Sequence, residues 1–144
     1  ANSHIVGALT VGMNVSIACP DGYRPHPDVL KFAEKYGDKF KISNNVLEMA
    51  ANADVLATDV WASMGQESEA KERRKAFAGF QINDDVLAAA RSGALVLHCL
   101  PAHREEEITT KVFEAHANEI FDEAENRLHA QKAVLVKLMG PKEI

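Results

Sequence analysis

The chain has 144 residues, 47% of them apolar and 26% charged, with a formal net charge of −5. That length suffices for one domain with a real core, and the composition is that of an ordinary globular protein. The acidic balance excludes an extended nucleic-acid surface, which needs clustered Lys and Arg.

The one dense basic stretch, residues 71–75, is interrupted by Glu72 and flanked by Glu67 and Glu69, as a solvated helix face would be. No apolar run approaches the roughly 20 residues of a membrane span. Residues 1–13 lack the basic start of a signal peptide. Cys19 and Cys99 have no CxxC spacing and fit a reducing compartment better than a disulfide framework. These features predict a soluble, cytoplasmic domain with no nucleic-acid or membrane partner.

Residues 2–11 carry Ile5, Ala8 and Leu9 at helical spacing, with Gly12 placed to end the helix. Residues 15–18 read as a strand stopped by Pro20-Asp21-Gly22. Pro27 and Asp28 open a helix through Tyr36, with Val29, Leu30, Phe32 and Ala33 as its buried stripe and Gly37 as its stop. A strand is expected at 40–42 and a short helix at 46–53. The next strand, at 55–58, leads into a loop at Asp59. Helices are expected at 67–77 and 84–91, the second with Val86, Leu87 and Ala90 on one face. Residues 94–97 form a nearly continuous apolar run, as buried parallel strands do. Helices then follow at 105–116 and from about 125 to 139.

Strands alternating with helices predict an α/β fold, a doubly wound, mostly parallel sheet with helices on both faces. The usual strand order places a first, central strand between those at 15–18 and 55–58. Here the reading opens directly on a helix, so the sheet is Rossmann-like but lacks its first strand. Two unpaired edges inside a domain are costly. The chain therefore reads as part of a longer protein.

Three segments stand out: Asp59-Val60-Trp61-Ala62-Ser63-Met64-Gly65, His98-Cys99-Leu100-Pro101-Ala102-His103-Arg104, and Phe121-Asp122-Glu123-Ala124-Glu125-Asn126-Arg127. The first two follow strands, where an open α/β sheet builds its ligand crevice. In this order and spacing they resemble the ornithine-binding C-terminal domain of the ornithine carbamoyltransferases, over residues 1–140. The Ser-Met-Gly segment favours ornithine over the substrates of the related aspartate, acetylornithine and putrescine enzymes. The family's N-terminal domain, with its Ser-Thr-Arg-Thr phosphate loop, has no counterpart in these residues. Nor has the Gly-Asp-Gly-Asn-Asn turn, which Asn2 would directly follow.

The resemblance implies transfer of a carbamoyl group from carbamoyl phosphate to the side-chain amine of L-ornithine, giving citrulline and phosphate. It implies no metal or organic cofactor, and homotrimers or multiples of trimers in the complete protein. Asp59 would grip the ornithine α-amino group, with Ser63 and Met64 touching the amino-acid end. Cys99 would sit beside the reacting amine without forming an acyl-cysteine, and the Leu100 carbonyl would accept from the carbamoyl NH2. Arg127 would reach carbamoyl phosphate. The Leu100–Pro101 bond would be cis, and residues 66–79 would form a mobile loop closing over ornithine.

Residue chemistry alone leaves other readings open. Asp59 suits a turn or helix cap, Met64 core filling and Cys99 a small buried hydrophobe. Arg127 suits a surface pair with Glu123 or Glu125, and the charged 66–79 segment a plain amphipathic helix. His98, Cys99 and His103 make a poor zinc set, since Pro101 interrupts their spacing and no second ligand cluster follows. A dinucleotide-binding domain would need a GxGxxG turn, which Gly7 and Gly12 do not supply. A non-catalytic amino-acid-binding module of the same fold is the remaining alternative.

Overall fold

The computed structural model describes residues 1–62 and 67–140. Four short parallel strands, β1 (Val15–Ala18), β2 (Phe40–Ser43), β3 (Val55–Thr58) and β4 (Leu95–His98), form two separate pairs, β1 with β2 and β3 with β4. The helices are α1 (Asn2–Thr10), α2 (Pro27–Ala33), α3 (Val46–Ala50), α4 (Ala70–Ala76), α5 (Asp84–Ala89), α6 (Thr110–Ala115) and α7 (Ala117–Met139). None of them is long and apolar enough to cross a membrane.

Local chemistry sets most helix ends. Asn45, Asn83 and Thr109 cap α3, α5 and α6 by accepting the N–H of Glu48, Val86 and Val112 at 3.2, 3.1 and 3.3 Å. Gly12, at φ 87°, takes the left-handed turn that closes α1, and Met13 then donates to the Ala8 carbonyl at 2.9 Å. The helix expected through Tyr36 is α-helical only to Ala33 and tightens into a 3₁₀ turn over Glu34–Lys39.

Two corrections are larger. Residues 105–109, expected in a helix, form a turn with Glu105 at φ 68°, and Ile108 bridges to Ile82. The final helix begins at Ala117, eight residues before the expected start, because Ile120 is a core residue at 0% exposure. Tertiary burial, not local pattern, decides both.

There are two cores, one for each strand pair. Ile5, Leu9 and Ala33 pack over β1 and β2, while Leu56, Val96, Ile108, Val112, Phe113 and Ile120 surround β3 and β4. Short α3 joins the halves, touching β1 and β2 on one side and α5 on the other. In contrast, the second half of α7 stands away from both cores, with Val136, Leu138 and Met139 largely exposed.

Ile120→Ala is expected to cost about 2–5 kcal/mol, and Leu138→Ala, 76% exposed, less than about 0.5 kcal/mol. Urea unfolding of the two variants checks this; equal losses would place α7 differently.

Candidate active site

The register of β3 with β4 sets Thr58 opposite His98. Asp59 and Cys99, the next residue of each strand, therefore leave the sheet side by side. The Asp59 carboxylate accepts the Val60 N–H at 2.8 Å and lies close enough to the Cys99 thiol to disfavour its ionisation. Burial first, then the neighbouring Asp59 carboxylate and the charge of Glu123, push the thiol up to about 11. It stays protonated at neutral pH, a neutral donor rather than a thiolate nucleophile.

His98 is the last residue of β4 and fully buried, as is Glu107. The Leu100 N–H donates to His98 Nδ1 at 2.9 Å, which fixes the tautomer: Nε2 carries the proton and donates to Glu107 Oε1 at 3.0 Å. Glu107 Oε1 also accepts the His103 N–H at 2.6 Å. Burial pushes the Glu107 carboxyl up, but the bonds from His98 and His103 outweigh it and hold the group below its usual range.

One buried carboxylate thus ties together both ends of the turn. Between them Leu100 adopts φ 54°, in the left-handed region, and the Leu100–Pro101 bond is cis. A non-glycine residue there costs about 1–3 kcal/mol, and the pinned Leu100 N–H helps hold it.

α7 runs beside this strand. Glu119 Oε2 accepts the Val96 N–H at 2.9 Å, and Glu123, one turn on, lies close enough to charge the Cys99 environment. Glu123 Oε2 is buried with no hydrogen-bond partner among the described residues. Arg127 follows another turn along the same face and is exposed. Its expected partner Glu125 bonds His129 Nε2 instead, at 3.0 Å.

The segment after the Asp59 loop is anchored by aromatic packing. A 3₁₀ turn at Glu67–Glu69 leads into α4. From α4, Arg73 donates to the Trp61 carbonyl at 3.4 Å and lies 5.2 Å over the Tyr23 ring. Phe77 stacks on Trp61 at 6.2 Å and meets the edge of Tyr23 at 4.9 Å. Ser63 and Met64, expected to touch the amino acid, lie outside the described residues.

The structure therefore brings Asp59, Cys99 and Leu100 together at the ends of β3 and β4 and leaves Arg127 exposed on α7, with no hydrogen bond or ion pair to them among the described residues. Glu107, Glu119 and Glu123 were not foreseen. Nothing in the run Glu105-Glu106-Glu107 says which carboxylate turns inward. His103 lies with Glu106 and Glu107 within 4.8 Å, a geometry open to a cation. Both carboxylates there already hold internal partners, Arg74 and His98. A cleft of about 480 Å3 is lined by Asp59 but not by Cys99 or Leu100.

Cys99 alkylation by iodoacetamide, followed by peptide mass spectrometry, is expected to rise with a midpoint near pH 11. Asp59→Asn removes the negative charge while keeping an amide oxygen that can still accept, so the thiolate becomes easier to form and the midpoint falls. An unshifted midpoint near the ordinary value of about 8.5 in both proteins would contradict the pairing.

The sequence matches the family description "Aspartate/ornithine carbamoyltransferase, Asp/Orn binding domain" over residues 1–138. Among curated relatives, an ornithine carbamoyltransferase of Syntrophotalea carbinolica is 52% identical over 140 residues, covering 97% of this chain and 46% of its own length. One from Archaeoglobus fulgidus is 48% identical over 139 residues, covering 96% and 45%. Among solved structures, the anabolic ornithine carbamoyltransferase of Campylobacter jejuni aligns with a TM-score of 0.90 at 40% identity, over 95% of this chain and 46% of its own. The Pyrococcus furiosus enzyme aligns at 0.87 and 44% identity, over 99% and 47%. The chain spans about half the length of the curated relatives it matches. With its α/β fold and strand-end site, it belongs to the aspartate/ornithine carbamoyltransferase family, as the Asp/Orn-binding domain.

Proposed function

We propose that this chain is the ornithine-binding half of an ornithine carbamoyltransferase, with carbamoyl phosphate held by an N-terminal domain outside these residues. The whole protein would transfer the carbamoyl group of carbamoyl phosphate to the side-chain amine of L-ornithine, giving L-citrulline and phosphate. It would act in arginine metabolism, in the cytoplasm, as a homotrimer or a multiple of trimers. The observation that carries the reading is the placing of Asp59 against Cys99 by the register of β3 and β4.

The chemistry suits these residues. An alkyl ammonium has a pKa near 10.4, so the ornithine side chain must lose a proton before it attacks the carbamoyl carbon. Asp59 supplies a fixed negative charge for the α-ammonium group. The neutral Cys99 thiol fills the space beside the nucleophile without competing with it for the carbon. It orients and desolvates the amine. The Leu100 carbonyl, aimed by the His98 clamp, accepts from the carbamoyl NH2.

Attack develops negative charge on the carbonyl oxygen, and the phosphate leaves as an anion. Arg127 supplies the guanidinium for these oxygens, swung in from the exposed face of α7. Ser63 and Met64 complete the amino-acid pocket when the 66–79 segment closes. Closure excludes water from the reacting amine.

By calorimetry, the 144-residue chain is expected to bind L-ornithine, and Asp59→Ala to weaken binding about tenfold or more through loss of a charged hydrogen bond. Arg127→Ala should leave ornithine affinity within about twofold. In the full-length enzyme the same change should raise the carbamoyl phosphate requirement instead. Ornithine affinity indifferent to Asp59 would remove its assigned role. Citrulline should form only when the carbamoyl phosphate half is supplied; brisk turnover by the chain alone would overturn the half-site reading.

A further inference from the structure

The run from His103 to Glu107 sends its side chains two ways. Arg104 turns toward α6, where it pairs with Glu114 at 2.6 Å and lies 4.6 Å over the Phe113 ring. Glu105 serves the same helix, accepting the Thr110 N–H at 2.8 Å. His103, Glu106 and Glu107 are left together, with one ligand atom of each inside a span of 4.8 Å. The backbone beneath them is fixed. Glu106 donates its N–H to the His103 carbonyl at 3.1 Å, and its own carbonyl accepts from Gln81 Nε2 at 2.8 Å. The Glu107 carbonyl accepts the Ile82 N–H at 2.9 Å.

Both carboxylates are only half engaged. Arg74 bonds Glu106 Oε1, while His98 and the His103 N–H bond Glu107 Oε1. Glu107 Oε2 is buried without a hydrogen-bond partner among the described residues, on a side chain that is 0% exposed. His98 brings no positive charge, since it accepts at Nδ1 and donates at Nε2. A desolvated carboxylate oxygen with neither donor nor counter-ion is costly. Its near neighbours are a second carboxylate, which cannot donate, and the exposed imidazole of His103. A proton shared with His103 would relieve one carboxylate, whereas a cation relieves both and engages the imidazole as well.

We propose that His103, Glu106 and Glu107 form a binding site for a divalent transition-metal ion, with Glu107 Oε2 as its buried ligand and water completing the shell. One imidazole nitrogen and two carboxylate oxygens suit Zn2+ or Mn2+. The imidazole disfavours Mg2+ and Ca2+, which take oxygen throughout. Rotation of the two outer side chains, His103 and Glu106, brings the three atoms to a metal–ligand distance of roughly 2.1 Å. The role is structural: the ion adds a further tie to the turn that His98 and Glu107 already hold, and stiffens the segment from Leu100 to Glu107.

The test is a Mn2+ titration of the 144-residue chain, read by paramagnetic broadening of its amide NMR signals. Substoichiometric Mn2+ is expected to broaden residues 103–107 first. One equivalent of Zn2+ should restore those signals, and excess Mg2+ should leave them broadened. His103→Gln and Glu106→Gln, neither in the core, should each weaken Mn2+ binding at least about tenfold. Glu107 stays intact in both variants, because it holds the turn. With Zn2+ bound, hydrogen exchange at the Leu100 and His103 amides should slow. Broadening centred on Asp84 and Asp85, or an affinity untouched by both substitutions, would overturn the proposal. So would Mg2+ displacing Mn2+ as readily as Zn2+ does, the mark of an acidic surface, or Zn2+ settling at Cys19 or Cys99 without restoring residues 103–107.

Discussion

Thr58 and His98 lie opposite one another in a parallel ladder, and the residues that follow them leave the sheet at one place. The candidate site depends on this register. A slip of one residue would turn the side chains of one strand to the opposite face. Leu56 or Val96, depending on which strand slipped, would leave the core, and Asp59 would no longer stand beside Cys99. Hydrophobic burial thus fixes the register, and the register fixes the chemistry. The geometry of the candidate site is inherited from packing several residues away.

The second constraint is polar. His98 and Glu107 are wholly buried, and an unpaired carboxylate there would be costly. Their mutual hydrogen bond, with the N–H groups of Leu100 and His103, satisfies most of that demand. The same bonds define a turn whose Leu100 takes a backbone conformation that few residues adopt. Polar burial here gives shape to a short loop more than stability to the domain. That is the usual reason for holding a strained segment at a strand end.

Much of this was legible in the residues themselves. The strands at 15–18 and 55–58 are compact apolar runs between turn formers, and they fall where expected. The alternation of strands and helices led directly to a parallel α/β fold. The break between β1 and β3 followed from strand order, since a doubly wound sheet needs a strand there. Asp59, Cys99 and Leu100 were marked by their position after strands together with their motifs.

What stayed hidden depends on three-dimensional partners. The early start of α7 follows from Ile120 entering a core built by β4 and α6, which no local window contains. Residues 105–109 have helical composition, yet the Ile82 bridge and the inward turn of Glu107 prevail. Nothing in the sequence marks Glu119, and Glu123 offers itself only as a surface partner for Arg127, until α7 is laid along β4. Such roles arise from contacts across about twenty residues of sequence or more.

The most direct test is an amide NMR titration of the chain with L-ornithine. The account predicts shifts concentrated at residues 59–62 and 98–103, moving together along one saturation curve, because β3 and β4 deliver both loops to a single ligand. Shifts confined to one loop, or centred elsewhere on the domain, would contradict it.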